Sequence, residues 1–410
     1  MSVTYIQQPD VYTSGFDPLI FLASSNQSLQ TNFRYRVNIN DENGNVISVF
    51  RIPPYYSDGT VLFDAHLTIE NYLSYDILNL INGTVGFQTG INTFCKFTIN
   101  IAEEYGTPIN SYASATSQVI YAINSAQNYL DMINNPIYDR VWFAAGVQAA
   151  TWLTNQPSTI KIRTGDSYEL GFIAGSQFGS PDHLRVKTYD VSGNLLKSSE
   201  FDNSQKANTT DDQRFLSVLV GADNINDWAV SAGSAQPLIA DNVSYYEISL
   251  ESSLDVTVSN VLTFEIDRDC TRDNTYQRLF WLNPLGRFDA FNFTQMKTDS
   301  ITTEKSTYGK VKGVRTSSSF VFNTYQNERS TFFAKSKQRY TLRSGFVNTE
   351  TATWLKELIQ SPLVYMIIDN QFVGVNLITN SYTAQTTLQE KLFNIEIEVE
   401  LSVDNQRQRL

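Results

Sequence analysis

The sequence predicts a mainly β protein made of several antiparallel sandwich-like domains, with one short helix in the C-terminal domain. Three observations lead there. Tyr (22 residues) and Phe (25), together with Val, Ile and Thr, favour strands. Segments that alternate apolar and polar residues recur along the whole chain. Asn-Gly and Ser-Gly-Asn signals separate several of them, and such dipeptides supply the positive φ angles of tight hairpin turns. At 410 residues the chain has room for two or three domains of about 150 residues each. The expected divisions are 1–150, 151–268 and 269–410.

In the first region, FRYRVNINDENGNVISVF (33–50) reads as a hairpin. Phe33, Tyr35, Val37 and Ile39 alternate with polar residues, and Asn43-Gly44 makes the turn. TVLFDAHLTI is an extended stretch that includes His66. FCKFTINIAEEYG (94–106) alternates again, with Cys95, Phe97, Ile99 and Ile101 on one face. TSQVIYAINSAQNYLDMI (116–133) fits a short helix or a strand. In the second region, 158–174 and 183–199 are extended, the latter turning at Ser192-Gly193-Asn194. FLSVLVGA, SYYEISLES and VLTFEID add three more strands, and NDWAVSAG reads as an exposed loop. In the third region, 320–346 reads as several strands. NTETATWLKELIQSP predicts a helix over 349–360, capped by Asn348 or Thr349 and stopped by Pro362. LVYMII is a short buried strand turned by Asp369-Asn370. LFNIEIEVELSVD (392–404) has the cleanest period of two, with Ile395, Ile397 and Val399 on one side and Glu396, Glu398 and Glu400 on the other. That glutamate row reads as a guard against edge-to-edge pairing. No internal repeat is legible.

The formal charge of −12 argues against phosphate-backbone binding, which needs clustered Lys and Arg, so no direct nucleic-acid contact is expected. Lys310, Lys312 and Arg315, and the run from Lys335 to Arg339, read as solvated strand surface. Cys95 and Cys270 form neither a disulfide framework nor a CxxC pair. The N-terminus lacks a signal-peptide pattern, and no stretch of about 18 apolar residues predicts a membrane span. His66 and His183 are the only histidines, too few for a zinc cluster, and each reads as structural. Asp267, Asp269 and Asp273 are calcium-like in spacing but lack the glycine and final glutamate of an EF-hand loop. No phosphate loop, dinucleotide fingerprint or nucleophile elbow is present. The sequence therefore predicts no catalytic residue, cofactor or metal ligand, although two distant carboxylates of a glycosidase would escape a reading of this kind.

LFWLNPLGRFDAFNF (279–293) carries five aromatics and only two charges, Arg287 and Asp289. Phe280, Leu282, Phe288 and Phe291 read as core. Tyr276, Trp281 and Arg287 are candidates for contact with another subunit, because aromatics with a polar tip and arginine are enriched at interfaces. Arg407 and Arg409 in the C-terminal NQRQRL are candidates for reaching a neighbour.

FEIDRDCTRDNTYQRLFWLNPLGRFDAFNF, WLKELIQSPLVYMIID, KLFNIEIEVELSVDNQRQR and the N-terminal TSGFDPLIFLASSNQSLQTNFRYRVNI together resemble virion structural proteins of tailed bacteriophages infecting Bacteroidota-type hosts. The resemblance implies a tail, collar or baseplate component of ring type, made in the host cytoplasm and residing in the phage particle. Its implied partners are other virion proteins and copies of itself. Two alternatives accompany it: a receptor- or carbohydrate-binding tail protein, and a polysaccharide-degrading tail enzyme.

Overall fold

The structure is a computed structural model describing residues 3–55, 58–143, 150–175, 181–207, 210–269, 276–295, 297–325, 328–379 and 393–406. It is mainly β, with several antiparallel sheets and a few short helices. The chain divides into two compact units, Met1–Arg268 with Leu282–Asp289, and Asp269–Trp281 with Ala290–Leu410.

Unit 1 contains one strand arrangement twice. The first occurrence uses β1 (Tyr12–Ser14), β2 (Ile20–Ser25), β3 (Arg34–Asn40), β4 (Val46–Ile52), β5 (Thr60–Asp64), β6 (Phe94–Tyr105) and β7 (Ile120–Ile123). Its larger sheet runs β1-β7-β6-β3-β4, with β1 parallel to β7 and every other pair antiparallel. β2 pairs β5 in the facing sheet. The second occurrence uses β8 (Thr159–Ile162), β9 (Glu169–Ile173), β10 (His183–Tyr189), β11 (Leu195–Asp202), β12 (Phe215–Leu219), β13 (Tyr245–Glu251) and β14 (Leu262–Ile266). Its larger sheet runs β8-β14-β13-β10-β11, again with only the first pair parallel, and β9 pairs β12.

The two hairpins share their turn chemistry. In DENGN, Asp41 Oδ1 accepts from the backbone N–H groups of Asn43 (2.9 Å) and Asn45 (2.7 Å). In DVSGN, Asp190 Oδ1 accepts from those of Ser192 (2.8 Å) and Asn194 (2.9 Å). Gly44 (φ 80°) and Gly193 (φ 81°) hold the left-handed position that a Cβ would strain. Both hairpins also shift register by one residue at the same place, beside Asn40 and beside Tyr189. The repeat absent from the sequence is therefore present in topology and turn geometry.

Alternation explains the first core. Phe21 and Phe63 from one sheet meet Tyr35, Val37, Ile39, Phe97, Ile99 and Ile101 from the other, all buried. At the rim of this sandwich Glu104 gathers Arg34 (2.7 Å) and Arg51 (3.1 Å). Burial raises the Glu104 carboxyl, but the bonds from Arg34 and Arg51 outweigh it and hold the group below its ordinary range. A lowered carboxyl stabilises the fold above its unfolded value of about 4.3, and that stability is lost as pH falls through the lower folded value. Glu104→Gln is expected to flatten this acid limb in urea unfolding measured between neutral pH and about pH 3.

A further strand, Phe87–Thr89, lies in sequence inside the first sandwich but pairs with β12 of the second. Phe87 stacks edge-on against Phe172 and Trp228, so the two sandwiches share apolar contacts.

Several local expectations change. His66 lies in a short helical turn, His66–Ile69, not in a strand. The ambiguous segment 116–133 is both: it gives β7 and then a helix, Tyr129–Asn134, capped by Asn128. NDWAVSAG is not an open loop but largely helix α1 (Ala222–Ser231), with Trp228 packed on Phe201. Ile225 and Ala229 are buried, so packing overrides the poor helix propensity of its Asp and Asn residues.

Unit 2 is a sheet of β15 (Gln277–Leu282), β16 (Phe288–Phe293), β17 (Thr298–Gly309), β18 (Arg329–Val347), β19 (Val364–Ile368), β20 (Gln371–Leu377) and β21 (Phe393–Leu401). The strand order is β16-β15-β19-β20-β21-β18-β17. Helix α2 (Thr349–Gln360) begins at Asn348, whose side chain accepts from Thr351 N, as the sequence predicts. It buries Ala352, Trp354, Leu355 and Leu358. β21 buries Ile395, Ile397 and Val399, but it is not an edge. Its glutamates face cations on β18 instead of guarding against pairing.

Candidate assembly surface

β17 and β18 form a long hairpin whose outer strand carries little apolar patterning. All twelve residues of β17 are exposed, so neither face rests on a core. At about 3.4 Å per residue the strand spans roughly 40 Å. Outward of Lys335 the ribbon is two-stranded among the described residues. Two strands alone are marginal in water, so so long a ribbon gains most when a partner covers it.

Among the described residues the outer side of β17 is a free sheet edge. It contains no proline and a single lysine, Lys305. Edges usually carry guards because unpaired N–H and C=O groups recruit other strands, and those of β17 are limited to Asp299, Glu304 and Lys305. A bulge opposite Ser306 and Thr307 skips Phe332, placing the extra residue on β18 and leaving β17 regular. At the tip, Val314-Arg315 pairs with Phe320-Val321. Val311 is 83% exposed, Phe322 66% and Tyr325 79%, a cluster of large apolar groups with no cover among the described residues.

Charge is distributed unevenly along this arm. Near its root, Arg343 pairs with Glu396 (2.6 Å), Arg339 with Glu400 (2.8 Å) and Lys337 with Glu400 (3.1 Å). Hydrogen bonds from Lys337 and then Arg339 hold the Glu400 carboxyl below its ordinary range. Lys335 pairs with Asp404. At the tip, Lys310, Lys312 and Arg315 have no ion-pair partner among the described residues, and Lys310 lies 5.5 Å from the centre of the Tyr308 ring. The arm thus ends in apolar surface with uncompensated positive charge.

The residues picked from sequence as contacts lie elsewhere. Tyr276 is half-buried and donates to Asn292 Oδ1 at 3.0 Å. Trp281 is 0% exposed and packs on Trp354 at 5.0 Å, so its side chain faces the interior of unit 2. Arg287 is 3% exposed inside unit 1, next to Glu169. Neither Trp281 nor Arg287 offers a side chain to a second molecule in this conformation. Arg407 and Arg409 lie outside the described residues, as do Cys270 and Asp273. The arm itself escaped the sequence reading. The signal that pointed to it, Lys310, Lys312 and Arg315 among Val and Phe, reads equally as ordinary strand surface.

One other cluster carries chemistry. His183, Glu251 and Asp255 bring ligand-type atoms within 4.8 Å of one another. Arg185 already occupies the place a cation would take, since its Nη2 lies 2.6 Å from Glu251 and 3.7 Å from Asp255. His183 Nε2 completes the contact with Glu251 at 3.0 Å. Burial raises the Glu251 carboxyl, but Arg185 and then His183 outweigh it and hold the group below its ordinary range. This is an ion-pair knot tying the turn after β13 to β10, and a guanidinium at its centre opposes an added metal ion. No helix among the described residues is long and apolar enough to cross a membrane.

No protein-family model matches the chain, and no curated protein matches it. Among solved structures, extracellular domains 3–5 of Drosophila OTK are similar at 8% identity, over 83% of this chain and 92% of that one, with a TM-score of 0.20. At that TM-score the likeness carries no argument about fold or function.

Proposed function

We propose that the chain is a non-enzymatic structural component of a tailed-bacteriophage particle, of tail, collar or baseplate type, and that it joins or forms a ring there through its arm. The observation that carries the assembly part of this reading is the exposed β17 edge, which leads to an apolar, cationic tip. Such a surface is costly in water and becomes favourable when covered. Burying Val311, Phe320 and Phe322 contributes about 1.5–3 kcal/mol each before ordering costs. The assignment to a phage particle rests on the sequence resemblance alone.

Electron microscopy of particles purified from producing cells tests the reading. The expected result is that the chain copurifies with assembled particles and lies in density with rotational symmetry. A monodisperse monomer, absent from the particles, overturns it.

A further inference from the structure

We propose that the arm of one copy seats on unit 1 of a second copy, so that copies associate head to tail. This rests on the assembly reading above and names the partner.

Charge complementarity carries it. Unit 1 contains 14 Lys and Arg against 29 Asp and Glu, and unit 2 contains 16 against 13, giving formal charges of −15 and +3 within the chain's −12. The arm, residues 298–347, holds nine of the cations and three of the acids. Ion pairs within unit 2 consume the cations at its root, leaving Lys310, Lys312 and Arg315 at the tip to face a partner. Like charge opposes the alternatives. Tip against tip sets positive charge against positive, and unit 1 against unit 1 brings two strongly acidic bodies together. The favourable combination is therefore heterologous, the kind of contact that closes into a ring or runs on as a filament.

Unit 1 also offers the matching surface. Among the described residues β11 is an edge strand of its sheet. Leu195 (55%) and Leu196 (37%) are exposed on it, while Glu200 and Asp202 further along are already paired with Arg185 and with Lys206 (2.7 Å). A strand edge and two apolar side chains complement the edge and apolar tip of the arm, and the net charge of −15 on unit 1 supplies the attraction for its cations.

The test uses the full chain. Sedimentation velocity compares the wild type with the Lys310→Glu/Lys312→Glu/Arg315→Glu variant at low and high salt, with circular dichroism confirming that both are folded. The expected result is salt-weakened self-association of the wild type and at least about a tenfold loss of affinity in the variant, equivalent to about 1.4 kcal/mol. In parallel, a photoreactive benzoylphenylalanine replaces Phe322 in a mixture of isotopically light and heavy chains, and mass spectrometry locates the cross-links. Cross-links from position 322 to unit 1 of another copy support the proposal. Cross-links to another copy's arm, or to lipid when anionic vesicles are added, overturn it, as does a wild type that stays monomeric at every concentration. Cross-links inside purified particles to a different protein overturn the second-copy partner while leaving the assembly reading intact. Absence of the chain from particles removes both.

Discussion

Replacing Arg287 with Met is expected to destabilise unit 1 by about 3–5 kcal/mol, the usual consequence of removing one member of a buried ion pair. The surroundings explain the size. Asn283 Oδ1 accepts from the backbone N–H groups of Leu285 (2.9 Å) and Arg287 (3.0 Å), fixing the turn that delivers the arginine. The Arg287 stem crosses Gly171, where an added Cβ would lie 2.6 Å from Nε, so this strand position has room only for glycine. The guanidinium comes within 3.9 Å of Glu169, which is fully buried. Burial raises the Glu169 carboxyl, while Arg287, Ser217 and the Phe288 N–H oppose the rise. Without Arg287 the raising influence is left largely unopposed. A raised carboxyl gives its full stability below the unfolded value of about 4.3 and loses it as pH climbs towards the folded value. The Arg287→Met chain should accordingly be hurt less near pH 5 than near pH 7, and adding Glu169→Gln should recover part of the loss at pH 7. Urea unfolding of the three proteins at both pH values checks this. Equal losses at both pH values with no recovery in the double variant would show that packing, not the buried pair, sets the cost.

Trp281→Ala is expected to cost unit 2 about 3–5 kcal/mol through the cavity it leaves. Trp281 packs on Trp354 of α2, and Trp354 in turn lies edge-on to Phe291 at 6.2 Å. The substitution removes the ring that α2 covers, at the sheet from which the arm extends. Trp281→Phe should cost much less, because the indole N–H of Trp281 has no hydrogen-bond partner among the described residues and its loss leaves no acceptor orphaned. The denaturation midpoints of both variants, together with the near-ultraviolet circular dichroism of the Trp281–Trp354 pair, separate the two outcomes. Equal losses for Ala and Phe would mean that the ring's volume is not what holds α2.

Legibility in the sequence followed burial. β21 and β3 could be read because one face of each is buried and alternation must then be kept, and β4, whose inner face is only half-buried, is legible through the Asn43-Gly44 turn that joins it to β3. α2 could be read because Ala352, Leu355 and Leu358 recur at helical spacing behind a capping Asn348. β17 could not be read because both its faces are exposed, so nothing constrains which residues alternate. α1 was hidden by its Asp and Asn residues, and only the burial of Ile225 and Ala229 reveals why it coils. Arg287 looked like an interface residue because the groups that bury it, Glu169 and Gly171, lie more than a hundred positions earlier in the chain. The twofold repeat was invisible because a sandwich constrains strand order and turn geometry while tolerating wholesale exchange of the apolar residues that fill it.

The strand Phe87–Thr89 sets an order of events during synthesis. It leaves the ribosome more than a hundred residues before Phe215–Leu219, the strand it pairs with. Until then it has no backbone partner in that sheet, and equivalent strands from the two sandwiches compete for the same neighbours, a setting in which exchange of strands between repeats is the characteristic error. A shortened chain beginning after residue 150 would fold its sandwich with the flank of Phe215–Leu219 bare, and stickiness of that fragment, cured by supplying the first 150 residues in trans, is the behaviour this interleaving entails.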